Sequence, residues 1–250
     1  QDQHAIATDK VPLRRGQVAS LANYTSYVWG INGIIIDVAH MANPAAFSAE
    51  TDLRLRVGNN SDPESWQAAP APLVVVTPGG APGGADRITL IWQDGQIQNQ
   101  WIEVTVKATA NTGLYSEEVF YFGNSVGETG NDPGNAEVTE ADAAAVRAHR
   151  TGIVPAAVTN PYDFNRDRRV NSTDEMIARN NSRTGPDALQ LIDLRFIGGQ
   201  GMIGGQGVVG GQGVVGGQGV IGGQSLRGSS AGQLSAPAVD ALLCQGAAEE

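Results

Sequence analysis

The sequence predicts an all-β sandwich, then a small helical unit that uses one loop-and-helix motif twice, and then a glycine-rich tail. Three observations support this architecture. Short apolar or alternating segments without a helical period extend to about residue 125, Asn/Asp clusters followed by Ala-rich stretches come next, and a hexad repeat follows. We therefore divide the 250 residues into segments 10–125, 126–195, 196–234 and 235–250.

Six segments of the first region have the patterns of β-strands. Ile34, Ile35 and Ile36 form a short apolar run of the kind that fills a sandwich core, and residues 53–57 alternate between apolar and basic side chains. Many short strands separated by Asn, Asp, Gly and Pro predict an antiparallel sandwich. The predicted strands are 31–38, 53–57, 73–77, 87–92, 101–107 and 118–122.

Strand parity distinguishes two of the four tryptophans. Trp92 shares a strand face with Ile88, which predicts that it lies in the core. Trp101 shares a face with Glu103 and Thr105, so we expect it on the outer face of its sheet, covered by the helical unit or by a ligand. Trp101 is therefore a candidate partner-binding residue, and an aromatic platform if the sandwich binds carbohydrate.

The most specific motif is the twelve-residue segment 163–174, DFNRDRRVNSTD. Side-chain oxygens fall at its positions 1, 3, 5, 9 and 12, and a backbone carbonyl at position 7 completes the spacing by which a loop surrounds a hard cation. Calcium tolerates irregular oxygen shells, whereas magnesium prefers a strict octahedron with retained water, so we predict Ca²⁺. The predicted ligands are Asp163, Asn165, Asp167, the carbonyl of Arg169, Asn171 and Asp174.

A turn followed by a helix N-cap is the alternative interpretation of this segment, because Asn and Asp favour both. Val170 at position 8, which would point into the protein, and Asp174 at the start of a helix favour the metal loop. Arg168 stands where the sharp turn prefers Gly, and Asp174 stands where EF-hands have a bidentate Glu.

The loop belongs to an internal repeat. Val138 and Asp142 recur 32 residues later as Val170 and Asp174. Asp142 is the only carboxylate among the side-chain ligand positions of the first copy, which predicts a weak or vestigial metal loop. The aligned positions of this copy hold Asn131, Asn135, Glu137, Thr139 and Asp142.

The pattern D-x-N-x-D-x-x-V-N-S-T-D, followed by a helix, resembles a type I dockerin repeat. Dockerins are duplicated calcium-loop-plus-helix modules, and their residues at positions 10 and 11 often contact a cohesin partner. The resemblance implies that Ser172 and Thr173 bind a partner and that a cohesin-like domain is one such partner. Glu140 and Ala141 stand at these positions in the first copy, so the two-fold symmetric recognition surface is broken.

Further strings resemble the C-terminal module of large planctomycete cell-surface and secreted proteins, which pairs a β-sandwich with a dockerin-like repeat. The resemblance covers about residues 5–195 and implies an exported, non-catalytic module. The strings that carry it are 23–27 (NYTSY), 30–34 (GINGI), 119–124 (VFYFGN), 127–131 (GETGN) and 162–167 (YDFNRD).

The tail repeats a Gly-Gly-Gln hexad between residues 197 and 226. We expect a disordered linker first, because Gly loses the most entropy on ordering, then an intermolecular ribbon with a Gln ladder, and a β-helix last. Its many Gly and Gln residues argue against a transmembrane segment. The final residues 235–250 are expected to form a short helix or to be disordered.

Composition limits the function. The net charge of −10 offers no basic face for nucleic acid, and the single cysteine allows no intrachain disulfide. We find no paired carboxylates, nucleophile elbow or Cys-His couple, so we predict no enzyme. Because the chain begins with Gln and without a leader, we expect a processed form or a fragment.

We therefore predict an extracellular, calcium-binding structural or assembly protein of the cell surface, as part of a surface layer, fibre or adhesion. Its expected partners are other copies of itself or other surface proteins. The alternative is a cohesin-binding or carbohydrate-binding accessory module of a polysaccharide-degrading assembly.

Overall fold

The computed structural model describes residues 6–195 and 239–244, which all belong to one compact unit. The predicted hexad tail, 196–234, lies outside the described residues, as do residues 235–238 and 245–250. The described part is mostly β-sheet, which confirms the β-rich fold that the sequence predicts, and it has three α-helices, of which the short one at Ala49–Asp52 was not predicted. None of these helices is long and apolar enough to cross a membrane.

The structure has a strand at each of the six predicted positions. The strands are β1 (Leu13–Arg14), β2 (Tyr24–Thr25), β3 (Gly33–Val38), β4 (Leu53–Gly58), β5 (Gln67–Ala68), β6 (Leu73–Thr77), β7 (Asp86–Ile91), β8 (Trp101–Val106), β9 (Glu118–Asn124) and β10 (Val239–Cys244). The helices are α1 (Ala49–Asp52), α2 (Glu140–Ala148) and α3 (Ser172–Asn180).

The described strands form two sheets. The larger sheet has the order β1-β9-β8-β4-β5, with β2 also paired to β9, and the smaller has the order β10-β3-β7-β6. Every pairing is antiparallel except that of β2 with β9. An antiparallel sheet can pack one face on a core and turn the other to solvent. This arrangement agrees with the alternation of apolar and polar residues in the sequence.

Side chains from both sheets meet in one hydrophobic cluster. The smaller sheet contributes residues such as Ile34 and Ile88, and the larger contributes residues such as Val104 and Phe120. Trp92 belongs to this cluster and its indole Nε1 donates a hydrogen bond to the Pro70 carbonyl oxygen at 2.8 Å. The core position predicted for Trp92 is therefore confirmed.

A second cluster covers the opposite face of the larger sheet. Trp101 and Tyr121 from that face pack against Leu189, Ile192 and Leu194, which follow α3. Trp101 was expected on an outer face, and the segment after α3 buries it completely. This packing fastens the helical part of the chain to the sheet.

The C-terminal strand corrects the expectation of a short helix or disorder in 235–250. Residues 239–244 pair with β3 along its whole length, from Val239 opposite Val38 to Cys244 opposite Gly33. The pairing satisfies the backbone groups of an otherwise open sheet edge, and Leu243 enters the core. A short apolar run of this kind cannot be assigned to helix or strand by periodicity alone.

Helices α2 and α3 pack on each other through a third cluster that contains Val146, Phe164, Val170 and Ala178. Val170 is fully buried, as its position in the predicted loop required. The helices begin at equivalent residues of the repeat, because Thr139 and Asn171 are their N-caps.

Candidate metal-binding loop

Residues 163–174 form the loop that leads directly into α3. The Asn171 side-chain oxygen accepts a hydrogen bond from the Thr173 amide at 2.7 Å, and Asp174 Oδ2 accepts one from the Asn171 amide at 3.0 Å. These bonds are the reciprocal capping pattern of a helix start. Asn171 is therefore a helix N-cap, as the alternative interpretation of this segment predicts. The capping bond uses Oδ2 of Asp174 and leaves its Oδ1 directed to the loop.

The loop backbone adopts a conformation that normally favours glycine. Arg166 and Arg168 have φ of 58° and 68°, in the left-handed region, and Arg168 is the position at which the sequence pattern would expect Gly. Such residues each cost about 1–3 kcal/mol, so the surrounding contacts must hold them. The buried Arg166 Nη1 donates to the carbonyl oxygens of Asn160 and Asp163, both at 2.6 Å.

Two buried carboxylates lie at the centre of the loop. Asp174 Oδ1 accepts a hydrogen bond from the Phe164 amide at 2.8 Å, and Asp163 Oδ2 accepts one from the Arg168 amide at 3.0 Å. Asp163 Oδ1 is also buried, and no hydrogen bond reaches it. A buried oxygen without a donor costs about 1–3 kcal/mol, more when it is charged.

Both carboxyl groups of this pair have raised pKa values, chiefly because they are buried. Burial, followed by the negative charge of Asp174, raises the pKa of Asp163 to about 6, and the guanidinium of Arg166 opposes the shift only in part. Burial also raises the pKa of Asp174. Both shifts mean that the protein holds the charged forms unfavourably.

Asp167 does not join the pair. Its side chain is exposed, with Oδ1 accepting from the Arg169 amide at 2.8 Å and Oδ2 accepting from the Asn165 side-chain amide at 3.1 Å. Within the part of the chain that is described, no group of three or more His, Cys, Asp or Glu side chains is placed to hold a metal ion. The structure thus brings Asp163 and Asp174 together, and Asp167 is turned outward.

The first copy of the loop satisfies its aspartate with hydrogen bonds. The fully buried Asp142 accepts at Oδ1 from the Thr129 hydroxyl at 2.8 Å and from the Asn131 side-chain amide at 3.0 Å. Its Oδ2 accepts from the Thr139 amide at 2.8 Å. Asn131 therefore supplies the hydrogen-bond donor that an ionised Asp163, its counterpart, cannot supply.

Two further side chains of the first loop, those of Asn135 and Glu137, form hydrogen bonds outside the Asp142 cluster. The Asn135 side-chain amide donates to Asp132 Oδ2 at 2.8 Å, and Glu137 Oε1 accepts from the Gly185 amide at 2.8 Å.

In the first loop, both oxygens of the buried aspartate accept hydrogen bonds from donors of the same segment. In the second loop, one buried carboxylate oxygen has no hydrogen-bond partner. The carboxylate oxygens of Asp163 and Asp174 are ligands of the type that a hard cation prefers, and the buried Arg166 guanidinium lies beside them.

The predicted partner-binding residues lie in different surroundings. Ser172 and Thr173 are exposed in the first turn of α3. Trp101 is fully buried, its Nε1 donates to the Gln190 carbonyl oxygen at 2.8 Å, and its ring meets that of Tyr24 edge-on at 6.4 Å. Trp101 therefore offers no surface to a sugar in this fold.

Sequence patterns missed one buried charged group near the first loop. Glu128 Oε2 accepts a hydrogen bond from the Tyr24 hydroxyl at 2.6 Å, and Oε1 accepts from the Gly130 amide at 2.7 Å. Burial raises the pKa of Glu128 to about 7. A single Glu between glycines carries no periodic signal, so only the tertiary contacts reveal it.

The second loop is also tied to the β-sheet part of the fold. The Val28 amide donates to the Phe164 carbonyl oxygen at 2.9 Å. Because Phe164 also donates to Asp174, one residue links the carboxylate pair to the segment before β3.

Comparison with known proteins gave no further assignment. No family model matches the chain, and searches of curated proteins and of solved structures found no significant match.

Proposed function

We propose that this chain is a non-enzymatic, calcium-stabilised module of an extracellular or cell-surface assembly, in which a β-sandwich carries a dockerin-like pair of loops. The observation that carries the proposal is the buried pair Asp163 and Asp174, with its unpartnered oxygen. The first loop supports it by contrast, because there an Asn amide fills the equivalent position.

Calcium would be held by Asp163 and Asp174 together with the side-chain oxygens of Asn165, Asp167 and Asn171 and the Arg169 carbonyl. When bound, it would supply a partner for the Asp163 oxygen that no hydrogen bond reaches, and positive charge in addition to that of Arg166. Asp167 is exposed, so its carboxylate can turn toward the pair by exchanging hydrogen bonds that water can replace. Because the unfolded chain has no such site, the free energy of binding adds to the free energy of unfolding.

An extracellular location suits this use of calcium. A site with few carboxylates binds weakly, and weak sites of this class operate at about 10⁻⁴–10⁻³ M calcium, as extracellular modules do. The single cysteine leaves no possibility of an intrachain disulfide as an alternative staple. The resemblance to surface-protein modules supports the non-catalytic role, and the net charge of −10 argues against nucleic acid.

Thermal unfolding in calcium, magnesium and EDTA tests the proposal. At ten times the dissociation constant, calcium should stabilise the fold by about 1.4 kcal/mol, or about 3–6 °C in the unfolding midpoint for a unit of this size. Magnesium at the same concentration should give a smaller shift. Equal midpoints in calcium and in EDTA would remove the calcium proposal.

A cohesin-binding accessory role is the second candidate, favoured by the exposure of Ser172 and Thr173 on α3. It is tested by a pull-down of calcium-loaded protein with a panel of cohesin domains. Binding that is lost in a Ser172→Glu/Thr173→Glu variant would support it, and no binding to any member would reject it. The carbohydrate-binding alternative relied on Trp101 as an aromatic platform, and this side chain is buried.

A further inference from the structure

The last strand of the fold is joined to the rest of the described chain through a long connection. Strand β10 pairs with β3 over six residues, and 43 residues, 196–238, separate it from Arg195. Leu194 lies beside β1 of the larger sheet, since its amide donates to the Gln17 carbonyl oxygen at 2.9 Å, whereas β10 belongs to the smaller sheet.

Strand β3 would be an unpaired edge of the smaller sheet if β10 were absent. All six residues of β3 are buried, and its Ile34, Ile36 and Val38 belong to the core. Without β10, this strand would be an exposed, apolar sheet edge with a row of unpaired amides and carbonyls, which is the feature that recruits strands from other molecules. Leu243 adds a core side chain to the pairing, and its carbonyl oxygen accepts from the Ala7 amide at 3.0 Å.

The connection is much longer than a link within one unit requires. A compact unit of about 200 residues has a radius of gyration of roughly 16 Å, so about 13 extended residues would cross it. Forty-three residues reach roughly 140 Å when extended, and a flexible Gly-rich chain of that length spans about 36 Å on average, so the connection is long enough for a neighbouring chain as well as its own. The effective concentration of a strand on such a tether is about millimolar, so strands of other chains compete for the β3 edge where the chains are concentrated to a similar level, as in an assembly.

We propose that β10 is exchanged between copies: Val239–Cys244 of one chain pairs with the β3 edge of a second chain, and this exchange joins the chains into dimers or longer assemblies. Exchange keeps every contact of the strand, including the burial of Leu243, and changes only which chain supplies it. The occupant is a second copy because its residues Val239–Cys244 would pair with β3 in the register that the strand has here. The proposal extends the assembly part of the proposed function and does not depend on calcium.

A disulfide trap tests the exchange in the full-length protein. Gly33 is opposite Cys244, the only cysteine, and facing residues of antiparallel strands have Cα atoms about 4.5–5.5 Å apart, within the range that a disulfide spans. Gly33 shares a strand face with Ile35 and Asp37, opposite the core residues, so a Gly33→Cys side chain avoids the core. Oxidation would lock whichever chain supplied the strand.

On a non-reducing gel, exchange predicts covalent dimers or a ladder, and the dimer-to-monomer ratio should rise about tenfold when the protein is folded at tenfold higher concentration. Reduction should return every band to monomer. An internally closed monomer at all concentrations would overturn the exchange.

Two controls separate the trapped pair from other disulfides. The native chain reports on a Cys244–Cys244 link, and a Gly33→Cys/Cys244→Ser variant reports on a link between two introduced cysteines. Both should run as monomers on the non-reducing gel, because exchange without the trap leaves no covalent link. If Gly33→Cys fails to fold by circular dichroism, Ile35→Cys/Leu242→Cys/Cys244→Ser tests the next pair on the same face, with the same outcomes.

The result also separates this inference from the proposed function. Closed monomers together with filaments or layers in electron micrographs would reject strand exchange and leave assembly through another surface. Closed monomers without any assembly, at high concentration and in calcium, would reject both. Cross-linked ladders in EDTA would support exchange while leaving calcium to be decided by the unfolding experiment.

Discussion

Asn131 and Asp163 occupy the same position in two copies of one loop, and only Asn131 donates a hydrogen bond to the aspartate that starts the next helix. The Asn131 amide lies 3.0 Å from Asp142 Oδ1, whereas the equivalent Asp163 Oδ1 has no hydrogen-bond partner. One amide-to-carboxylate difference thus separates a loop whose aspartate is satisfied by hydrogen bonds from a loop that holds a buried carboxylate oxygen without a donor.

Asp163→Asn should have opposite effects without and with calcium. In EDTA the variant replaces a buried anion with an amide that can donate to Asp174, so we expect the free energy of unfolding to rise by about 1–2 kcal/mol. In millimolar calcium it should lose the stabilisation that the native protein gains. Urea denaturation in both buffers measures this, and a loss of stability in EDTA would contradict it.

Asn131→Asp is the reverse change in the first loop. It removes the hydrogen bond to Asp142 and places a second negative charge beside it, so we expect a loss of about 1–2 kcal/mol in EDTA. Part of this loss should be recovered on adding calcium, because the variant loop then has a carboxylate pair. Asn180→Asp at the exposed end of α3 is the control for the added charge. Equal stability of Asn131→Asp and the native protein would show that the hydrogen bond from the Asn131 side chain to Asp142 contributes nothing to the free energy of unfolding.

Glu128 should make stability depend on pH. Its folded pKa is about 7, above the usual 4.5, so its contribution is fully present below pH 4.5 and is lost as the pH rises through 7. The full difference is about 3 kcal/mol. Glu128→Gln keeps the shape without the charge, so its stability relative to the native protein should rise between pH 4.5 and pH 7. Parallel stability curves for the two proteins would contradict the buried charge.

Trp101 should be a core residue in solution. We expect Trp101→Ala to lower the free energy of unfolding by about 3–5 kcal/mol, because it leaves a cavity and removes the bond to Gln190. Trp29→Ala is the matched control, since Trp29 is about half exposed, and it should change stability by less than about 1 kcal/mol. Equal, small effects of the two changes would place Trp101 at the surface.

Alternation and turn residues were sufficient to predict most strands. The continuous apolar run from Ile34 to Ile36 is typical of a strand that is buried on both faces. The position of Trp92 follows from alternation, because every second residue of a strand lies on the same face. The pairing of β10 could not be predicted, since it depends on an edge formed more than 190 residues earlier in the chain. The complete burial of Trp101 could not be predicted either, because the side chains that cover it come from the segment after α3.

For the candidate site, the repeat and its spacing located both loops and the helix starts. The spacing placed Asp174 at the start of α3 and Val170 in the interior, as the structure has them. It could not predict that Asp167 turns outward, because that depends on local amide donors from Asn165 and Arg169. Nor could it predict the left-handed backbone of Arg168, which a different residue type would be expected to occupy.

Calorimetric titration of calcium into the native protein and into Asp163→Asn tests the carboxylate pair most directly. We expect one ion per native chain, because Asp142 is already satisfied in the first loop, and no saturable heat with Asp163→Asn. The absence of binding to the native protein at millimolar calcium, or unchanged binding to Asp163→Asn, would contradict the proposal that this pair holds the ion.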